Sequence, residues 1–78
     1  MPSLYPVPAA NNVTIHFGRP ASNAFIEILS SDMKLVYTEK INNTMLTKSI
    51  YTGNWASGTY IVKLTAGKSS YILRFVKL

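Results

Sequence analysis

Cysteine is absent from this 78-residue chain, and groups suited to acid–base or metal chemistry are few: three acidic residues and one histidine. Without cysteine, the chain can form no disulfide framework, thiolate zinc site or thiol nucleophile. Glu27, Asp32 and Glu39 fall in different predicted strands or turns, so we expect no carboxylate pair for catalysis. His16 stands alone, and a single imidazole makes no metal site without partners. We therefore predict that the chain is not an enzyme and holds no metal or cofactor.

Long apolar runs and a balancing negative charge are also missing. No run approaches the roughly 20 residues that a membrane-spanning helix requires, so we predict no membrane span. A chain of 78 residues forms one small domain with little room for a deep active site. Its net charge of +5 favours loose attraction to polyanions. Most aromatic residues nevertheless fall on the predicted core side of their strands, where they cannot stack on bases, and we predict no nucleic-acid partner.

The residues that are abundant favour β-structure. Valine, isoleucine and threonine, together with the aromatic residues, make up 28 of the 78 positions. Apolar residues alternate with polar ones in short segments separated by turn signals, as strands with one buried face require. The predicted strands are 13–17, 24–29, 34–40, 46–52, 59–65 and 69–78. The pattern predicts an all-β fold, a small antiparallel immunoglobulin-like sandwich of about seven strands.

Two glycine turns have clear structural roles. Gly67, between Ala66 and Lys68, predicts a tight hairpin turn. Gly58 precedes Tyr60 at the start of a late strand, an arrangement that resembles the tyrosine corner of immunoglobulin-like folds. We assign Gly58 to the turn and Tyr60 to a hydrogen bond from its hydroxyl to upstream backbone.

The outward side of the last two predicted strands mixes apolar and cationic residues. Its members are Ile61, Lys63, Ile72, Arg74 and Val76. Such a surface suits docking of a partner. A covering strand or loop, or simple tolerance of isolated aliphatic residues on a wet sheet, would explain it equally well. If the last strand lies at a sheet edge, it could pair with a partner strand or support a weak dimer.

Four stretches of the chain together resemble a known family. Residues 4–12, which read LYPVPAANN, resemble the Y-P-N-P-A stretch that begins type A C-terminal sorting domains of the type IX (Por) secretion system of Bacteroidota. Residues 24–36 are similar to that family's "v-x-I-y-d-x-x-G-k-x-v" segment, and 55–64 to its "L-x-x-G-x-Y-x-v-k-l". Residues 67–78 resemble its closing strand. The resemblance places the sorting domain at 5–78 and leaves 1–4 as a linker or expression remnant.

The chain departs from the family pattern at three positions. Val7 stands where asparagine is usual, Met33 where a turn glycine is usual, and Trp55 where leucine is usual. Met33 matters most for the backbone, because a residue with a Cβ resists positive φ. None of these departures changes the order of the strands.

The resemblance implies a role in protein export. Such a domain directs a larger cargo through the outer-membrane type IX translocon, with its shuttle proteins as further partners. A sortase-like cysteine peptidase typically removes it, and the cargo is released or joined to anionic lipopolysaccharide. The implied location is the periplasm in transit, then the cell surface or the medium, and the cut would fall upstream of Tyr5.

The resemblance and the strand pattern together nominate candidate functional residues. The candidate translocon contacts are Ile61, Lys63, Ile72, Arg74, Val76 and Lys77. The N-terminal junction motif comprises Tyr5, Pro6, Pro8 and Ala9. Prolines lack an N–H, so they stiffen this junction and limit its pairing, which suits a processed boundary or ordinary edge protection.

The alternative is a fibronectin-like or carbohydrate-binding accessory module, which shares the sandwich architecture. Sugar-binding modules usually present a planar strip of exposed aromatic residues. Trp55, Tyr5 and Tyr51 are the candidates here, and we expect Trp55 to be buried in place of a core leucine. The last predicted strand runs to Leu78, and such a terminal placement favours the sorting domain over this module.

Overall fold

The computed structural model describes residues 2–6 and 9–78, and these form seven strands and no helix. The strands are β1 (Ser3–Tyr5), β2 (Asn12–Ala21), β3 (Ala24–Ser30), β4 (Leu35–Ile41), β5 (Met45–Tyr51), β6 (Gly58–Ala66) and β7 (Ser69–Lys77). They make two antiparallel sheets, one ordered β1-β2-β5 and the other β4-β3-β6-β7. The predicted all-β sandwich is confirmed. Within the described residues, no helix is available that could cross a membrane.

The core lies between the two sheets and is filled by the alternating apolar positions of the central strands. β3 illustrates the pattern, since Ala24, Ile26 and Ile28 are fully buried while Phe25 on the other side is exposed. Period-two alternation produces this result because successive side chains of a strand point to opposite faces. The other buried apolar residues are Ala9, Val13, Ile15, Phe17, Ile41, Ile50, Tyr60, Val62, Leu64 and Phe75.

Two parts of the N-terminal half differ from the sequence prediction. β2 was expected to stop at Gly18, but it continues to Ala21 through a register shift between His16 and Ala21 in its pairing with β5. Gly18 has a φ of 85°, which glycine adopts without steric cost in such an irregularity. β1 was not predicted, because its three residues are too few to show a period. It includes Ser3 and Leu4, and Leu4 packs against the core.

The turn between β3 and β4 keeps the backbone shape of a glycine turn although methionine occupies the position. Met33 has a φ of 67°, and its N–H donates to the Ser30 carbonyl at 2.9 Å. Beyond the turn, Ile28 pairs with Tyr37 but Leu29 pairs with Leu35, so one residue is inserted on the β4 side. This bulge breaks the alternation. Strict alternation over the predicted strand 34–40 would place Leu35 on the same inward side as Tyr37; this prediction is wrong, and Leu35 is 55% exposed.

The predicted tyrosine corner is present at the start of β6. The Tyr60 hydroxyl donates to the Ala56 carbonyl oxygen at 2.6 Å. The Trp55 ring lies 5.2 Å from the Tyr60 ring and 6.4 Å from the Phe75 ring, and Tyr60 stacks on Phe75. Trp55 is half-buried in this cluster rather than fully enclosed. Gly58 has a φ of 149°, a conformation that favours glycine.

Replacing Tyr60 with phenylalanine tests the corner. Tyr60→Phe keeps the ring in the cluster but removes the hydroxyl that donates to Ala56. We expect a loss of about 1 kcal/mol of unfolding free energy and a fall in Tm of roughly 4–8 °C for a domain of this size. Thermal unfolding followed by circular dichroism measures it. Tyr51→Phe, on an exposed ring, is the matched control; equal midpoints for the two variants would show that the corner contributes nothing.

Replacing Met33 tests the strain in the β3–β4 turn. The left-handed conformation costs an ordinary residue about 1–2 kcal/mol, and glycine removes this cost. Glycine also raises the conformational entropy of the unfolded chain, which destabilises the folded state by about 0.4–1 kcal/mol. We therefore expect Met33→Gly to stabilise the domain by about 0.5 kcal/mol. Met33→Ala keeps the Cβ and should not stabilise. Denaturant unfolding of wild type and the two variants measures the differences in unfolding free energy. Equal stability of the Gly and Ala variants would contradict backbone strain at position 33 as the cause.

Candidate functional site

The outward sides of β6 and β7 form a continuous surface that brings most of the predicted translocon contacts together. In the β6–β7 pairing, Ile61 lies opposite Arg74 and Lys63 lies opposite Ile72. Val76 follows two residues beyond Arg74 on the same side of β7. Ile72 is 61% exposed and Val76 is 44% exposed, and Ile61 is half-buried. These residues are neighbours on the surface that the strand pattern predicted.

Lys77 does not belong to this surface. It lies on the opposite side of β7 from Val76 because successive side chains alternate, and it is only 7% exposed. Its Nζ donates to the Leu78 carbonyl oxygen at 2.5 Å. Its inclusion with the other candidate contacts followed from its position next to them in the sequence, and the structure separates it from them.

The surface extends across the whole four-stranded sheet. Leu29 of β3 lies opposite Ile61, and Glu27 lies opposite Lys63. We call this side of the sheet the outer face, and define it as Phe25, Glu27, Leu29, Leu35, Val36, Lys40, Ile61, Lys63, Ile72, Arg74 and Val76. The members from β3 and β4 were missed as functional candidates. The alternation of strand 24–29 already placed Phe25 and Leu29 outward, but only the sheet order shows that β3 lies next to β6.

The charges of the outer face are mainly positive. Lys63 and Arg74 are exposed on β6 and β7, and Lys40 of β4 lies opposite Phe25. Glu27 faces Lys63 across the β3–β6 pairing and is half-buried. The face therefore combines exposed aliphatic and aromatic side chains with an excess of cations, a composition that attracts an apolar surface bordered by acidic groups.

The first and last residues of the junction motif, Tyr5 and Ala9, pair with different sheets. Tyr5 pairs with Thr14 in the three-stranded sheet and is followed by a cis peptide bond to Pro6, which is exposed. Ala9 is fully buried and makes a parallel bridge with Lys77 in the four-stranded sheet. The Ala9 N–H donates to the Val76 carbonyl at 2.7 Å, and the Leu78 N–H donates to the Ala9 carbonyl at 2.8 Å. Pro8 lies outside the described residues.

A polar cluster joins the two sheets on the opposite side of the sandwich. The Tyr37 hydroxyl donates to Glu39 on β4, and the Lys48 Nζ on β5 lies 3.0 Å from Glu39 Oε2. The hydrogen bond from Tyr37, and secondarily the one from Lys48, holds the pKa of Glu39 below its ordinary value. Burial, reinforced by the hydrogen bond to Glu39, raises the pKa of Tyr37 to about 12. The cluster closes this side of the sandwich with an ion pair.

Residues that could bind a metal ion or a small ligand do not come together in the described part of the chain. The described residues contain no group of His, Asp or Glu side chains that could hold a metal ion, and His16 is half-buried with its Nδ1 accepting from the Gly18 N–H at 3.1 Å. A cavity of about 290 Å³ lies between the end of β2 and the β6–β7 turn, with Phe17, Arg19 and Tyr71 in its lining. This volume is at the lower limit of ligand pockets.

The aromatic residues nominated for sugar binding do not form one strip. Tyr5 on β1 and Tyr51 on β5 are exposed on the three-stranded sheet, on either side of β2. Trp55 instead packs against Tyr37, Tyr60 and Phe75. The structure therefore offers no planar strip built from these three residues, and the described part of the chain presents its main apolar surface on the outer face.

The described residues thus form a small β-sandwich whose largest exposed apolar surface is the outer face. The protein-family model described as a secretion system C-terminal sorting domain matches residues 3–78, and the chain belongs to this family. Neither the curated proteins nor the solved structures gave a match. The chain is a C-terminal sorting signal for type IX secretion, which implies interaction with the secretion machinery and export to the cell surface or the medium. The family is not an enzyme family.

The polar cluster makes the stability of the domain depend on pH. Because the folded-state pKa of Glu39 is lowered, its contribution is complete above its ordinary value and disappears as the pH falls through the lowered pKa. Glu39→Gln should destabilise the domain by about 0.5 kcal/mol at pH 7, and the difference from wild type should shrink below about pH 4. Denaturant unfolding across this range measures it. Lys48→Gln and the double variant complete the cycle, and a gap that stays constant with pH would contradict the assignment.

Proposed function

We propose that the domain docks on the outer-membrane type IX translocon, or on its shuttle proteins, through the outer face. The observation that carries this proposal is the exposure of Ile72 and Val76 beside Lys63 and Arg74 on two paired strands. Exposed apolar area of this kind does not stabilise the domain in water. When a partner covers it, the burial of that area contributes favourably to the free energy of binding.

The charge of the face indicates the chemistry of the partner. The chain carries a net charge of +5, and Lys40, Lys63 and Arg74 are exposed on the outer face. A translocon or shuttle surface with an apolar centre and acidic border would match it. Such complementarity chiefly increases the rate of encounter and selects the partner, while the apolar contacts hold the complex together.

The same proposal includes removal of the domain after export by a sortase-like cysteine peptidase. In its support, β1 is paired with β2 from Ser3 to Tyr5, and Ala9 is buried against β7. Backbone that is paired in a sheet is a poor substrate, so an accessible cut would lie upstream of β1, in a linker to the cargo. The host would be a member of the Bacteroidota, with the domain passing through the periplasm before the cell surface.

Export of a reporter tests the proposed function. Residues 1–78 are fused behind a signal peptide and a fluorescent protein and expressed in a bacterium with a working type IX system and in a translocon-deficient strain. We expect the reporter at the cell surface or in the medium only when the translocon is present. Periplasmic retention in both strains, with the domain folded and an upstream linker restored, would contradict the proposal and favour the carbohydrate-binding alternative, which glycan screening then tests.

Variants of the outer face are the second part of that experiment. The triple variant Ile72→Thr, Arg74→Glu, Val76→Thr should block export while leaving the fold intact. The matched control makes the same kinds of change elsewhere: Leu46→Thr and Tyr51→Thr remove exposed apolar residues on β5, and Lys68→Glu reverses a charge in the β6–β7 turn. Normal export of the first triple variant, or equal loss in both, would rule out the outer face as the docking surface.

A further inference from the structure

The four edge strands of the sandwich, β1, β5, β4 and β7, are not equally open to pairing. An edge strand presents unpaired N–H and C=O groups, and native proteins block such edges with short strands, bulges or inward-pointing charges. β1 has only three residues. β4 carries a bulge and places Glu39 opposite Ile26, on the inward side. β5 places Lys48 opposite the core residue Ile15.

β7 has none of these features between Ser69 and Phe75. Its pairing with β6 is in continuous register, without a bulge, and the segment contains no proline. Its inward side chains are Tyr71, Leu73 and Phe75, which are apolar or aromatic, and an inward charge appears only beyond them at Lys77. Of the edges in the described part of the chain, this is the one without a blocking feature.

The hydrogen bonds to Ala9 show which backbone groups on this edge are free. The Val76 carbonyl and the Leu78 N–H both bond to Ala9, so they point away from β6. Because backbone direction alternates along a strand, the N–H and C=O groups of Ser70, Ile72 and Arg74 point the same way. No other described residue pairs with them. The isolated parallel bridge with Ala9 also shows that this edge accepts backbone hydrogen bonds of good geometry from another part of the chain.

The side chains along the edge indicate what such a strand would carry. Tyr71 and Leu73 are half-buried at the margin of the core, and Ile72 is exposed on the outer face. An added strand would cover all three with apolar residues of its own. Arg74 flanks the edge and Lys63 lies opposite Ile72, so acidic residues on the added strand would be favoured. The net charge of +5 opposes a second copy of this chain.

We propose that the edge of β7 from Ser70 to Arg74 is a strand-addition site, at which an extended segment of the type IX machinery bearing apolar and acidic residues joins the four-stranded sheet. This inference rests on the proposed function and adds the mode of recognition to it. In strand addition the main chain supplies the hydrogen bonds and alternate side chains supply the selectivity. Ile72 then serves both surfaces, because its backbone lies at the edge and its side chain on the outer face.

Proline substitution separates the backbone of this edge from its side chains. Ser70→Pro removes an outward N–H that has no partner in the free domain, while Ser70→Ala keeps it. Thr47→Pro is the matched control on β5. The Thr52 N–H donates to the carbonyl of Asn11, the residue before β2, and alternation along β5 then points the Thr47 N–H away from β2. Reporter export is measured for each variant, with thermal unfolding of each purified domain. We expect Ser70→Pro to lower export about tenfold or more, and Ser70→Ala and Thr47→Pro to export as wild type.

The possible outcomes are distinct. If the wild type is exported and Ser70→Pro is exported equally well, the edge proposal alone is overturned. If the wild type is not exported, both the proposed function and the edge proposal are overturned. Equal loss in Thr47→Pro would also contradict a site on β7. If Ser70→Pro unfolds, Ile72→Pro is compared with Ile72→Ala, and export of a folded Ile72→Pro as high as that of an exporting Ile72→Ala would overturn the proposal. A dimer of the purified wild-type chain that Ser70→Pro abolishes would assign the edge to self-association instead.

Discussion

The packing of Trp55 on Tyr60 and Phe75 anchors the chain where it passes from β5 into β6, the strand through which β7 joins the four-stranded sheet. β6 pairs with both β3 and β7, and β4 attaches only through β3. The hydroxyl of Tyr60 holds the preceding turn through Ala56. On the other side of the same crossing, the N–H of the buried Thr52 donates to the Asn11 carbonyl at the start of β2. The connection between β5 and β6 is therefore anchored to both sheets.

The requirement to block exposed edges explains why charged groups lie near the core of so small a domain. Glu39 and Lys48 point inward from the edge strands β4 and β5, and each satisfies the other across the gap between the sheets. Their pairing reduces the cost of placing a charge beside apolar residues, and Tyr37 adds a hydrogen bond. The side of the sandwich that they close is thus protected against pairing, while the edge of β7 from Ser70 to Arg74, where we propose strand addition, carries no such charge on its inward side.

The alternation of apolar residues was sufficient to predict most of the fold, because a strand with one buried face must show it. It located both ends of β3, β4, β5, β6 and β7 to within one residue, and the G-x-Y pattern predicted the tyrosine corner at Tyr60. The prediction from this alternation failed where the alternation is interrupted. The bulge opposite Leu29 reversed the expected side of Leu35, and β1 is too short to have a period at all.

The candidate site was predicted less completely, because a surface depends on sheet order as well as on strands. Ile61, Lys63, Ile72, Arg74 and Val76 came together as expected, since hairpin neighbours pair directly. Phe25 and Leu29 joined them only because β3 lies beside β6, which no local pattern reveals. The inward position of Lys77 was readable from the alternation, which places it on the opposite side of β7 from Val76.

The parallel bridge between Ala9 and β7 gives the domain a mechanical property. When a folded domain is pulled apart, its resistance is set by the barrier to unfolding and not by its equilibrium stability. If β7 is held by a partner while tension acts on the chain upstream of Ala9, the two hydrogen bonds at Val76 and Leu78 lie across the pull and are loaded together, in shear. Bonds loaded in this way do not open one at a time as in an unzipping hairpin. Ala9, which lies between β1 and β2, thus also clamps β7, one of the strands that carry the outer face.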